Sequence, residues 1–121
     1  LLKFMNVKCE ESNVLMPNLD KIEKCKFFEQ NIFNIEKQYY NLFDVVRISN
    51  LLNYSYFSKK NLKIAISNIN KISKEKSIIV VNRTTNKNKN LASFFIKKNK
   101  KFKLLEDVNE GSEIKDLMLS C

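Results

Sequence analysis

The chain has 121 residues, enough for one domain, and its 44% hydrophobic and 29% charged residues are typical of a folded globular protein rather than a disordered one. Its single glycine excludes a glycine-rich phosphate-binding loop, because such loops need several residues without a Cβ at close intervals. The net charge of +9 attracts polyanions in general, but lysine, asparagine and isoleucine are enriched together along the whole length, as an AT-rich coding sequence would produce without a ligand.

The cysteines and the hydropathy pattern predict a cytoplasmic protein without a membrane contact. Cys9, Cys25 and Cys121 are scattered singly, and the chain has no histidine to complete a metal site with them. We therefore expect reduced thiols and no metal. No apolar run approaches the roughly 20 residues that a membrane span needs. The first three residues contain neither an initiator methionine nor a signal peptide, so we expect the chain to be the remainder of a longer protein.

The first third of the chain predicts two strands around a short helix. Residues 4–9 alternate loosely in polarity, as in a strand, and a helix begins at Ser12 or the next residue, with Pro17 tolerated only in its first turn or as a break. Residues 25–33 form a second predicted strand, which ends in polar residues. Residues 34–42 are a polar linker with room for one helical turn.

Two apolar runs rich in β-branched residues, 43–54 and 77–84, dominate the middle of the chain. Between them, apolar residues have helical spacing after Ser58, which is a suitable N-cap, so the pattern predicts strand, helix, strand. A crossover of that length makes the two strands parallel neighbours, with both faces covered by helices. Ligands of open parallel sheets bind beyond the carboxyl ends of the strands. The residues at those ends are Ser49, Asn50, Arg83 and Thr84.

Three apolar runs in the last third, residues 91–96, 102–105 and 117–119, predict short strands joined by polar turns. Gly111 falls in the turn before the last of them, where a positive φ would explain the glycine. The complete prediction is an α/β fold, in which a mostly parallel sheet is finished by antiparallel strands.

Four local sequences, in this order, resemble the C-terminal two-thirds of a class I (Rossmann-like) S-adenosylmethionine-dependent methyltransferase domain. They are Phe43-Asp44-Val45-Val46, residues 50–57, Asn82-Arg83-Thr84 and Gly111-Ser112-Glu113-Ile114. The resemblance implies that residues 1–121 are one methyltransferase-like domain, truncated at its N-terminus. The first strand and glycine-rich turn of the family would precede Leu1, and without them we expect poor cofactor binding.

The resemblance also implies residues for binding S-adenosyl-L-methionine. Glu10, with Glu11 as its alternative, would accept hydrogen bonds from both ribose hydroxyls. Asn31 stands where the family has an aspartate that accepts from the adenine amino group, and the backbone of Ile32 would meet the ring. Asn50 would line the methyl-transfer pocket, although at a strand end it could equally be a structural cap. Neither a catalytic residue nor the methyl acceptor can be identified.

Three functions remain open on the sequence. Methyl transfer needs little acid/base chemistry, because the sulfonium is already an activated donor. A degenerate methyltransferase-like domain that serves only in contacts is a second possibility. The third is nucleic-acid binding by lysines interleaved with aromatic residues, although such alternation is also typical of a half-buried edge strand, where lysines discourage aggregation. The residues of this third hypothesis are Phe94, Phe95, Phe102, Lys97, Lys98, Lys100, Lys101 and Lys103.

Overall fold

The computed structural model describes residues 29–121, and the chain divides into one unit that ends at Ile35 and a second from Glu36 to Cys121. In the described part of the first unit, Asn31 and Asn34 form an isolated bridge, and the Asn34 N–H donates to the Asn31 carbonyl at 2.9 Å. The strand predicted over residues 25–33 is therefore wrong for its described part, because a local turn takes the backbone hydrogen bonds. The predicted strand at residues 4–9 lies outside the described residues.

The second unit is a four-stranded sheet with two helices, preceded by one 3-10 turn, Lys37–Tyr39. The elements are β1 (Phe43–Ser49), α1 (Lys59–Ile72), β2 (Ser73–Thr84), β3 (Asn90–Lys98), β4 (Lys101–Val108) and α2 (Lys115–Ser120). The strands lie in the order β1-β2-β3-β4, with β1 parallel to β2 and the other two pairs antiparallel. Of the helices in residues 29–121, none combines the length and the apolar character needed to cross a bilayer.

The predicted strand-helix-strand unit is confirmed. Helix α1 begins after Ser58, whose hydroxyl oxygen accepts from the Asn61 N–H at 3.2 Å, as in an N-cap. At the other end β2 follows without a loop, and the Ser73 hydroxyl donates to the Ile69 carbonyl at 2.6 Å. The α1 crossover then returns the chain beside β1 in the same direction.

The predicted fold class, an α/β fold with a Rossmann-like, mostly parallel sheet, is wrong. The described protein is mostly β, with a mixed sheet that has one parallel pair and only two short helices. The chain leaves β2 through a short loop, residues 85–89, which leaves no room for a crossover, so β3 must run antiparallel. The strand predicted at 117–119 is part of α2, because Ile114, Leu117 and Met118 recur at helical spacing and are buried together.

One face of the sheet carries the hydrophobic core. Residues paired across strands point to the same face. Apart from the small Ala92, the buried apolar residues of the four strands fall on one face under the observed register. They are Val46, Ile48, Ile79, Val81, Phe95 and Phe102, which face the buried Leu62, Ala65, Ile66, Ile69 and Ile72 of α1 and Leu117 and Met118 of α2. We call this side the helix face. Each large side chain buried there contributes about 1.5–3 kcal/mol to folding before entropy is counted.

Candidate nucleic-acid interface

Asn50 ties the carboxyl end of β1 to that of β2. Its N–H donates to the Asn82 carbonyl at 2.8 Å, and its side-chain Oδ1 accepts from the Thr84 N–H at 2.7 Å. Its φ of 54° lies in the left-handed region, which asparagine tolerates better than most residues. The Ser49 hydroxyl adds a 2.6 Å bond to Asn82 Oδ1. Asn50 therefore acts as a strand-end cap, one of its two predicted roles, and its role in a transfer pocket stays a prediction.

The other residues predicted to bind the cofactor lie in the first unit. The Asn31 Oδ1 accepts from the Phe33 N–H at 2.9 Å, which is an Asx turn, and the Ile32 side chain is fully buried. Glu10 lies outside the described residues. No single described unit therefore holds all the residues that the methyltransferase resemblance implies, and their cofactor roles stay predictions.

The predicted ligand side of the parallel strands carries a cavity of about 560 Å³. It is lined by Arg83, Thr85, Asn86, Lys87, Lys89, Leu91, Glu110 and Glu113. Arg83 is ion-paired with Glu113, and Lys89 with Glu110 at 2.6 Å, so acids of the same cavity neutralise two of its three cations. This internal pairing leaves little net charge to attract an ionic ligand. Residues 29–121 also contain no cluster of His, Cys, Asp or Glu suited to a metal ion.

The predicted lysine-aromatic cluster is divided between the two faces of the sheet. Phe95 and Phe102 are buried on the helix face, together with Lys97, which is only 5% exposed. The Lys97 ammonium donates to the carbonyls of Asn70 and Ser73, at 2.6 and 2.8 Å, where α1 ends. Burial lowers the pKa of Lys97, and the charge of Glu75 partly opposes that shift. These three residues are thus structural and do not form a binding surface.

The other face of the sheet has partly exposed apolar side chains at its centre, and none of the described helices packs on it. We call it the open face. Two rows of paired residues cross it, one of Val45, Ile78, Ile96 and Lys103, the other of Arg47, Val80, Phe94 and Glu106. Strands lie about 4.8 Å apart, and successive rows about 7 Å, so Phe94 stands near the middle of a surface wide enough for a few nucleotides.

Basic side chains border the open face. Arg47 lies at the β1 edge, Lys103 at the β4 edge, and the paired Lys98 and Lys101 at the end of the β3–β4 hairpin. Glu106 is the one acidic side chain in these rows, and the described residues provide no ion-pair partner for any of the four cations. The open face therefore combines an apolar centre, one aromatic ring and uncompensated positive charge.

The sequence analysis does not select Arg47 or the apolar row residues of β1 and β2, because it predicts that helices cover both faces of β1. The sequence alternates in polarity from Val46 to Ser49, and in the structure Val46 and Ile48 are buried whereas Arg47 and Ser49 are exposed. A strand buried on both faces does not place an arginine at its centre, so Arg47 was the signal for a solvent-exposed face.

Comparisons of the chain with protein-family models, with curated proteins and with solved structures found no match.

Proposed function

We propose that this protein binds single-stranded nucleic acid on the open face of its sheet. Bases would stack on Phe94 and on the neighbouring apolar side chains, while phosphates would contact the basic border. The observation that supports the proposal most directly is the row in which Arg47, Val80 and Phe94 lie side by side on a face that no helix within residues 29–121 covers. This is one of the functions predicted from the sequence, now with a different set of residues. Phe94, Lys98, Lys101 and Lys103 remain, and Arg47 is added.

The chemistry of the open face suits a single strand better than a duplex. An exposed aromatic ring stacks with any unpaired base and contributes about 1–3 kcal/mol per base, whereas bases in a duplex are already stacked. The four cations, Arg47, Lys98, Lys101 and Lys103, match a backbone that carries one charge per nucleotide. If each cation contacts one phosphate, the logarithm of the binding constant should fall linearly with the logarithm of the salt concentration, with a slope of about −3.

RNA-recognition motifs provide a physical precedent for such a surface. They stack bases on aromatic side chains at the open face of a four-stranded sheet. The analogy concerns this use of a sheet surface and not the fold, because here β1 and β2 are parallel. The cytoplasmic location predicted from the cysteines is part of the proposal and is compatible with RNA as the ligand.

Fluorescence anisotropy with a labelled oligonucleotide of about 12 nucleotides, single-stranded or annealed to its complement, tests the proposal. We expect binding of the single strand at about 50 mM salt that weakens steeply by about 200 mM. Phe94→Ala should weaken binding by about 1–3 kcal/mol through loss of stacking. Phe94→Tyr, which retains a ring, should bind nearly as well as the unchanged protein.

A charge-matched pair of variants separates the open face from general positive charge. Lys101→Gln with Lys103→Gln should reduce the salt slope by about 1.4, the contribution of two phosphate contacts. Lys59→Gln with Lys60→Gln, at the exposed start of α1, removes the same charge away from the sheet and should change the slope little. Equal losses in both double variants, or no binding at low salt, would contradict the proposal.

S-adenosylmethionine-dependent methyl transfer, which the resemblance implies, stays a prediction that neither the fold nor the comparisons support. Calorimetric titration with S-adenosylhomocysteine tests it independently. Heat of binding that Asn50→Ala reduces would favour methyl transfer over nucleic-acid binding, whereas absence of binding would remove that prediction for this chain.

A further inference from the structure

Strand β1 has a sheet neighbour on one side only among residues 29–121. At its two ends, the N–H groups of Leu42 and Asn50 donate to carbonyls on the β2 side, those of Ile72 and Asn82. Backbone groups alternate in direction along a strand. The N–H and C=O groups of even-numbered residues of β1 therefore point toward β2, and those of odd-numbered residues point away from the sheet. The N–H and C=O groups directed away from the sheet are those of Val45, Arg47 and Ser49.

The two edges of the sheet differ in their protection against strand pairing. On β4, Lys101 and Lys103 point outward from the open face and a register shift opposite Phe94 and Phe95 interrupts the ladder, both of which discourage an additional strand. On β1 the register is regular from Val45 to Ser49, and the strand contains neither lysine nor proline. Val45 is 63% exposed there. Within the described part of the chain, the β1 edge thus presents an unprotected template.

We infer that the outer edge of β1 binds an extended acidic segment of a partner protein as a fifth strand. Main-chain hydrogen bonds would form with the outward groups of Val45, Arg47 and Ser49, as in other cases of strand addition. On the open face, the partner residue opposite Val45 would be apolar, and the residue two positions away, opposite Arg47, would be acidic.

Charge favours an acidic partner over a second copy of this chain. The chain carries a net charge of +9, and the exposed Arg47 at the centre of the edge has no acidic partner among the described residues. Pairing two β1 edges would bring the two Arg47 side chains and two strongly basic molecules together. An acidic segment instead neutralises Arg47 while it completes the hydrogen bonds of the edge.

A synthetic peptide in which valine and glutamate lie two positions apart, with threonine at the positions between them, tests this inference. The matched control peptide has lysine in place of glutamate. We expect the glutamate peptide to shift the amide resonances of Val45, Arg47 and Ser49 and the lysine peptide to bind at least about tenfold more weakly. Val45→Pro removes one outward N–H and none of the bonds to β2, so it should abolish binding. Val45→Thr keeps that N–H and should retain binding.

Arg47→Glu keeps the strand intact and should reverse the preference, so that the lysine peptide binds more tightly. This variant tests the inference even if Val45→Pro fails to fold. Equal binding of the two peptides, or unchanged binding by Val45→Pro with native circular dichroism, would overturn the inference. A dimer in sedimentation equilibrium that Val45→Pro dissociates would also overturn it, because a second copy would then be the occupant. Oligonucleotide binding is measured with a different probe, so the peptide result can be interpreted even if the protein binds no oligonucleotide.

Discussion

Gly111, the one glycine of the chain, lies where the loop after β4 passes close to β3 and β4. Its φ is +76°, and a Cβ at this position would lie 2.7 Å from Asp107 Cγ and 2.9 Å from Ser93 Oγ. Those two groups cannot withdraw easily, because the Ser93 hydroxyl donates to Asp107 at 2.6 Å and also accepts from the Ser112 N–H at 2.8 Å. Glycine is thus required both for its conformation and for its size.

Gly111→Ala should lower the free energy of unfolding by more than about 1 kcal/mol, since it adds left-handed strain to a steric clash. Urea unfolding followed by circular dichroism measures this change. Gly111→Asn separates the two causes, because asparagine tolerates the positive φ but still carries a Cβ. We expect it to be nearly as harmful as alanine; full stability of the asparagine variant would show that the contact with Asp107 is unimportant.

Asp107 and Lys115 form an ion pair at 2.6 Å in which each side chain is about a quarter exposed, 23% and 27% respectively. The bond from Lys115, followed by that from Ser93, lowers the pKa of Asp107 below its ordinary 3.8. The same bond raises the pKa of Lys115 above its ordinary 10.5. The pair therefore stabilises the fold between those two ordinary values. This contribution is lost as pH falls through the lowered pKa of Asp107 or rises through the raised pKa of Lys115.

Asp107→Asn should therefore destabilise the protein most near neutral pH, and its difference from the unchanged protein should shrink below pH 3.8. Urea unfolding at a series of pH values measures the difference. Glu110→Gln removes the exposed pair with Lys89, whose side chain is 47% exposed, and should have little effect at any pH. A pH-independent loss in Asp107→Asn would mean that packing, and not ionisation, explains its role.

At the scale of elements, α1 is held at both of its ends. Ser58 caps the first turn, and the Lys97 ammonium of β3 donates hydrogen bonds to the carbonyls of Asn70 and Ser73 at the end of the helix. This second contact positions α1 over the sheet, because it joins the end of the helix to the neighbouring strand. The N-cap was predictable from local sequence, whereas the lysine cap was not, because Lys97 lies 24 residues beyond Ser73.

Ser58→Ala should lower the free energy of unfolding by about 0.5–2 kcal/mol, since it leaves the Asn61 N–H without its cap. Thermal unfolding monitored at a helix wavelength measures the loss. Ser67→Ala makes the same substitution on the exposed face of α1 and should be neutral or slightly stabilising, because alanine favours the helix interior. Equal effects of the two substitutions would contradict capping by Ser58.

At the scale of the whole molecule, the positions of the charged side chains indicate a binding surface better than the net charge does. The four described ion pairs use Lys74, Arg83, Lys89 and Lys115, whereas none involves the cations that border the open face. Four cations without a described ion-pair partner, Arg47, Lys98, Lys101 and Lys103, thus lie beside an aromatic ring and account for part of the net charge of +9. Composition alone favoured a coding bias, and only the register across the strands distinguished a lysine in the core from one on the surface.

The sequence by itself determined the local features: the parallel β1 and β2 with their crossover helix, the cap at Ser58, and the turn at Gly111. The cap and the turn depend on contacts between residues close in the chain. The parallel pair follows from a period of hydrophobicity that can be counted and from a crossover of sufficient length. The tertiary structure decided the fold class and the candidate site. Lys97 and Lys98 are adjacent, yet one is buried beneath α1 and the other borders the open face. Successive residues of a strand point to opposite faces, and only the packing of helices from distant parts of the chain determines which face is covered.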